Sequence, residues 1–318
     1  MSQSAGAVAV TGLRTFLGRN LVDRFCAAGR RSIGIDLKAL NAADPELVFR
    51  ALDFTHPTAG SALAEVFEKE GVDVVVHTAF RREPTSDWDA DHELETIGTL
   101  HLLNACEAAG VRRVVIASTT MLYGPRPTNP NYLEEDRPLH GHPDAHCVVN
   151  RVEAEALIRS WTERHPEVEV SVLRLPWMFG PTYRDSVVRY FDGRWVPTAL
   201  GYDPLFQFVH EADALRAFEI ASLEGRPGTF NVVADGVLPL STLLRIAGKQ
   251  PLPLPSLLLA RFFPWSESGD SPQAFFDYLR YLWVADGSRG YEAFGKPQYT
   301  TREAWMAFVS ARRMARYR

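Results

Sequence analysis

A β-branched run, a glycine turn and an amphipathic stretch follow one another in VAVTGLRTFLGRNLV, which begins at Val8. A turn of this kind between a strand and a helix start aims free backbone amides at a pyrophosphate, where the helix dipole favours negative charge. Gly12 and Gly18 are its glycines, and Arg14, Thr15, Phe16 and Leu17 lie between them. Asp36 closes the next apolar run, IGIDL, where a carboxylate can accept both ribose hydroxyls of an adenosine and repel a 2′-phosphate. Arg14 opposes it, since a guanidinium in the turn can accept that phosphate. Both features also have plain roles, as a closely packed strand-helix turn and as a capping or solvated acid.

Other chemistry is scarce. Cys26, Cys106 and Cys147 form an odd count without a CxxC pair, and no histidines stand at metal-ligand spacing, which argues against a disulfide framework or a zinc site. A reduced, cytoplasmic setting is expected. The net charge of -5, from 34 basic and 39 acidic residues, gives no field suited to a nucleic-acid backbone. The opening MSQSAGAVAV lacks a basic and a long apolar region, so no targeting segment is predicted. The apolar stretch 251–265 is broken by proline and Arg261 and falls short of the roughly 20 residues that a membrane span needs; it reads as a lobe or lid segment. Arg312, Arg313, Arg316 and Arg318 read as a solvated terminal cluster.

The elements that must position the turn are legible as alternation. Short β-branched runs at 7–10, 32–35, 72–77, 111–117 and 168–173 predict buried parallel strands, and amphipathic stretches at 16–28, 61–70, 93–109 and 152–164 predict the helices between them. Right-handed crossovers then give an α/β fold, a Rossmann doubly wound parallel sheet. With 318 residues and 46% hydrophobic composition, the chain can bury such a core and carry a smaller lobe. The expected division is a dinucleotide-binding core over 1–180 and a substrate lobe over 181–318, interleaved with it, because a late strand near 229–233 can return to the sheet. A helix is expected over 240–248.

The glycine turn resembles the Thr-Gly-x-x-Gly-x-x-Gly turn of the extended short-chain dehydrogenase/reductase family, also described as NAD-dependent epimerase/dehydratase-like, with Thr15 in place of the middle glycine. VRRVVIASTTMLYGP, LRLPWMFGP, QFVHEADAL, TFNVV and YTTREAWMAFV resemble later landmarks of the family, in its order and over nearly the whole chain. The resemblance implies a cofactor site at Gly12, Arg14, Thr15, Phe16, Leu17, Gly18 and Asp36, at Asp53 and Phe54 beside the adenine, and at His77, Thr78 and Ala79 after the fourth strand. It implies NAD, with NADP less favoured because of Asp36. A homodimer is compatible with it.

The family's chemistry uses a hydroxyl that holds a substrate oxygen, a Tyr that exchanges the proton, and a Lys four residues later that binds the nicotinamide ribose. Thr119 aligns with the hydroxyl, while Cys147 and Arg151 stand where the Tyr and Lys are expected. Several readings stay open. A thiol, with an ordinary pKa of about 8.5, can exchange protons if nearby charge lowers it, whereas an arginine can hold ribose hydroxyls but cannot deprotonate. Equally, Cys147 can be an inert packed thiol and Arg151 a helix-surface cation, or the proton can pass through His146, His142 or Tyr123. Around the substrate the resemblance implies Phe80, Arg81, Met121, Tyr123, His146, Trp177 and Phe206. Trp177 and Phe206 occupy the places of an Asn and a diphosphate-binding Arg in nucleotide-sugar enzymes, which predicts a small, largely apolar carbonyl or alcohol substrate. An atypical NAD-dependent oxidoreductase is the leading expectation; a silent nucleotide sensor or scaffold, and a non-redox isomerase, lyase or cyclase, are the alternatives.

Overall fold

The computed structural model describes residues 6–40, 47–80, 87–255, 258 and 272–315. Its centre is a seven-stranded sheet built from β1 Ala7–Thr11, β2 Ser32–Asp36, β3 Val48–Ala51, β4 Val72–His77, β5 Arg113–Thr119, β6 Glu169–Leu175 and β7 Gly228–Asn231. The spatial order is β7-β6-β5-β4-β1-β2-β3, with every neighbouring pair parallel. Parallel strands need helical crossovers, which cover both faces and make the inner strands nearly continuous apolar runs. Thus Ala7, Val8, Ala9 and Val10, like Val74, Val75 and Val76, are buried throughout.

The helices α1 Phe16–Ala27, α2 Ala59–Glu70, α3 Gly98–Ala108, α4 His146–Arg164 and α5 Glu211–Glu224 form the outer layers. On one face α2, α3 and α4 pack in a row; on the other, α1 packs against α5. The chain runs outward from β1 through β2 to β3 and then crosses to β4 on the other side of β1. This reversal opens a crevice at the carboxyl ends of β1 and β4, the place where doubly wound sheets bind ligands.

Residues after 180 are not a separate body. α5 and β7 return to the sheet, and β7 begins one residue before the strand expected at 229. The rest forms a lobe of short pairings: Trp177–Phe179 with Phe208–His210, Trp195–Ala199 with Gln250–Leu254, and Leu205–Phe206 with Leu238–Pro239. An aromatic cluster of Phe179, Phe191, Phe208, Trp305 and Phe308 ties the helix Thr301–Ala315 to these strands. The stretch 251–265 enters as the strand Gln250–Leu254; most of its remainder lies outside the described residues.

Two helices depart from expectation. The segment 93–109 is not continuous, because a π-helical turn, Glu93–Ile97, separates the short helix Trp88–His92 from α3. α4 starts at His146 instead of 152, which places Cys147 and Arg151 one turn apart on a single helix. Among the described residues no helix is long and apolar enough to cross a membrane, and no group of His, Cys, Asp and Glu is arranged to hold a metal.

Candidate active site

The turn after β1 brings backbone very close to backbone. Gly12 has φ +73°, and a Cβ on it would stand 2.7 Å from the main chain of Thr78 and Ala79; one on Gly18 would stand 2.2 Å from the Gly12 carbonyl oxygen. Only glycine lets α1 start this close to the end of β4. Thr15 caps α1: its hydroxyl donates to the Gly12 carbonyl at 2.8 Å and accepts from Gly18 N–H at 2.9 Å. Its side chain is thereby folded into the turn. The amides of Phe16 and Leu17 remain as first-turn donors of the kind that a helix leaves for a ligand.

Asp36 is fixed at the tip of β2, where its carboxylate accepts from Arg14 N–H at 3.0 Å and Leu37 N–H at 2.7 Å. Asp53 accepts from the Thr55 hydroxyl at 2.7 Å and amide at 2.9 Å; these bonds hold its carboxyl below the usual range, with His56 adding to the effect and partial burial opposing it. Gly12, Arg14, Phe16, Asp36, Asp53 and Phe54 share the wall of one cleft of about 800 Å³, to which Thr15, Ala79, Phe80, Tyr183, Arg184 and Asp185 also contribute.

Thr15, Phe80 and Asp185 border a second, smaller space at the carboxyl ends of β4, β5 and β6, with about 80 Å³ free. Leu17, Thr78, Thr119, Met121, Cys147, Arg151 and Trp177 line it, as do Ser118, Val148, Pro176 and Val187. Thr119 accepts from Met121 N–H at 3.2 Å, an arrangement in which its own hydrogen can be donated to a ligand oxygen. Arg151 lies with Nη2 3.2 Å from Glu95 Oε1 and with its guanidinium 4.4 Å from the centre of the Phe80 ring. Glu95 belongs to the π-helical turn and its side chain is 0% exposed. Asp185 accepts from Val188 N–H at 2.7 Å and from the Tyr183 hydroxyl at 2.6 Å. Behind the pocket, Tyr278 donates its hydroxyl to the Met121 carbonyl at 2.7 Å, and burial, reinforced by Cys147, pushes its pKa well up.

Gly18 belongs to the turn as its buried packing glycine. Four expected site residues lie elsewhere. His77 is fully buried with Nδ1 2.7 Å from the Thr11 hydroxyl; desolvation, helped by Arg151, pushes its pKa down to about 3, so it supports the floor as a neutral ring instead of touching a cofactor. Tyr123 donates to Asn231 Oδ1 at 2.8 Å and accepts from Arg174 at 2.8 Å, within a buried network that includes Glu155 and Ser118, because a buried phenol needs polar partners. His146 stacks on Trp88 with centroids 3.9 Å apart, outside the pocket. Phe206 stacks behind Trp177 at 5.3 Å and is 1% exposed, so it backs the pocket wall without reaching a substrate. Of the remaining candidates, His142 bonds Asp277 at 3.1 Å, and Arg81 lies outside the described residues.

Sequence reading missed Glu95 and Asp185. A carboxylate at 95 heads the stripe Gly98, Thr99, Leu102, Leu103 and Cys106, all buried, and an acid on an apolar helix face was the available signal. Asp185 lies four residues beyond LRLPWMFGP, in the loop, and had no periodicity to mark it.

Comparison with known proteins gives a consistent picture. A model described as the NAD dependent epimerase/dehydratase family matches residues 8–232. An uncharacterized protein of Mycobacterium tuberculosis is 35% identical over 317 residues, covering 96% of this chain and 84% of the relative. The L-arabinose 1-dehydrogenase (NAD(P)(+)) of Haloferax volcanii is 28% identical over 270 residues, 77% of this chain and 95% of that enzyme. Among solved structures, MoeE5 in complex with UDP-glucuronic acid and NAD superposes with a TM-score of 0.75 at 22% identity, covering 98% of this chain and 100% of that one.

Proposed function

Because this chain belongs to the NAD dependent epimerase/dehydratase family, we propose that it is an NAD-dependent oxidoreductase that reduces the carbonyl of a small, uncharged molecule. The observation that carries the substrate class is the charge of the inner pocket. Among the described residues that line it the one cation, Arg151, is already engaged by buried Glu95 and by the Phe80 ring, and Asp185 adds a carboxylate to the wall. A diphosphate brought there would lose water without a cationic partner to compensate. The free space of about 80 Å³ also suits a small ligand.

The cofactor is NAD, and the residues of the outer cleft fit it. The Phe16 and Leu17 amides would hold the pyrophosphate, Asp36 the adenosine ribose, Asp53 and Phe54 the adenine edge, and Arg151 the nicotinamide ribose. Bound there, NAD supplies hydride chemistry. Thr119 would donate its hydroxyl hydrogen to the substrate oxygen, and Cys147 Sγ would pass a proton to that oxygen as it gains charge.

The test is to follow NADH consumption with a panel of small neutral aldehydes and ketones alongside UDP-glucose and UDP-glucuronic acid. Turnover of at least one neutral carbonyl, with no turnover or thermal stabilisation from the nucleotide sugars, is expected. Response to nucleotide sugars alone would refute the substrate class.

A further inference from the structure

The pair formed by Glu95 and Arg151 has a bearing on which redox form of the cofactor the pocket prefers. We propose that Glu95 is a positioning and charge-balancing residue that tunes the site toward oxidised NAD, so that bound NADH is the better hydride donor. This rests on the reading above that the nicotinamide end lies beside Arg151.

The two oxidation states of the cofactor differ at the nicotinamide ring, which carries a positive charge when oxidised and none when reduced. A lone guanidinium beside the ring would therefore disfavour the oxidised form by like-charge repulsion. Arg151 is not alone. Its Nη2 stands 3.2 Å from Glu95 Oε1, with the two side chains 11% and 0% exposed, so little water intervenes to screen the pair. The π-helical turn Glu93–Ile97 sets Glu95 at this point: it ends at Gly98, where a Cβ would lie 3.1 Å from Phe54 Cβ and which therefore lets the helix close on the cleft floor. Phe80 fixes the guanidinium from another side at 4.4 Å. His77, a buried ring close enough to Arg151 to feel its charge, is held neutral by desolvation and by Arg151 and adds no charge at neutral pH. Asp185 is the second carboxylate on the pocket wall. The charges of these groups sum to at most zero, an environment that accepts a cationic ring more readily than a site with an unbalanced cation.

The same geometry predicts opposite effects from removing either partner. Dissociation constants for oxidised and reduced NAD, measured by calorimetry and by NADH fluorescence on the full chain, give the preference as a ratio. Glu95→Gln, which keeps the size and hydrogen-bonding of the side chain, should move that ratio about tenfold toward NADH. Arg151→Met, which leaves the carboxylate unbalanced, should move it toward oxidised NAD by a similar factor. The double variant should return to about the wild-type ratio, because a neutral pair replaces a balanced one. Glu95→Asp, retaining the charge, should stay near wild type.

A merely structural ion pair would weaken both forms together and leave the ratio unchanged in every variant, and that result overturns the proposal. So does a Glu95→Gln shift in the opposite direction. Should Glu95→Gln fail to fold, the Arg151→Met and double variants decide the question, since only an electrostatic role makes the second substitution cancel the first. Failure of the functional reading has a different signature: wild-type protein that binds neither form refutes the cofactor assignment itself, and this proposal with it.

Discussion

Replacing Asp36 with asparagine separates charge from geometry in coenzyme choice. Both carboxylate oxygens are engaged, one by Arg14 N–H at 3.0 Å and the other by Leu37 N–H at 2.7 Å, so the group cannot swing away from an incoming 2′-phosphate. Two unit charges about 4 Å apart interact by about 1 kcal/mol in water and about 4 kcal/mol at an effective dielectric of about 20. For a half-exposed carboxylate a value of about 2 kcal/mol is appropriate, which corresponds to a factor of about 30 in relative affinity. Calorimetric titration of NAD and NADP should therefore show wild type preferring NAD, and Asp36→Asn moving the ratio about 30-fold toward NADP while also weakening NAD, since the amide keeps an acceptor for only one of the Arg14 and Leu37 N–H groups. Asp36→Ala should move the ratio similarly but weaken both coenzymes further, because the turn loses that acceptor as well. Adding Arg14→Ala to Asp36→Asn should cost NADP affinity alone. A wild-type preference for NADP, or an Asp36→Asn ratio within twofold of wild type, would refute the reasoning.

Two further outcomes are expected. Cys147→Ser should lower the carbonyl-reduction rate about 100-fold with NAD affinity unchanged, since a hydroxyl is a far poorer acid than a thiol; a retained rate in stopped-flow measurements would reduce Cys147 to packing. Stability should fall with acid between about pH 6.5 and pH 3, because His77 stays neutral in the folded protein down to about 3 while the unfolded chain takes up a proton near 6.5. The slope from this group is on the order of 1.4 kcal/mol per pH unit, and urea denaturation of His77→Asn against pH should show it removed.

The sheet and the cofactor turn were legible because they depend on local pattern. Strands buried on both faces must be apolar runs, a tight strand-helix turn must contain glycine, and a ribose-binding acid must close a strand; 8–22 and 33–37 carry all three. β3 escaped notice because Val48, Phe49 and Arg50 are only half buried at the edge of the sheet, where alternation and hydrophobicity fade. The π-helical turn cannot be read from residue type, since nothing in ELETI distinguishes it from an ordinary helical turn. Side-chain roles failed where chemistry-bearing types were enlisted by the core. His77, Tyr123 and Phe206 look like site residues in sequence, but each is buried against a partner that only the tertiary fold supplies: Thr11, Arg174 and Trp177. Conversely, the sequence marks Glu95 only as an acid at the head of an apolar helix face, and the partner that gives it a role, Arg151, is supplied by the fold.

On the proposed reading, that pairing bears on the presence of Cys147 and Arg151 where the family resemblance places a Tyr and a Lys. A lysine beside a tyrosine raises the positive potential of a site, which helps the phenol to lose its proton and favours anionic ligands. Here the cation remains but a buried carboxylate balances it, and a thiol that can donate a proton stands one helical turn away. Under the proposed function two properties then follow from one ion pair: the described lining offers no unbalanced cation to a diphosphate, and a positively charged nicotinamide is tolerated as the product of hydride donation. On that reading both would favour reduction of a neutral carbonyl over oxidation of a sugar hydroxyl in a nucleotide sugar. Placing Tyr at 147 and Lys at 151 would therefore not by itself recreate the family's usual electrostatics, because Glu95 would still neutralise the new ammonium. The proposed chemistry therefore rests on three positions, 95, 147 and 151, two on α4 and the third on the turn packed against it.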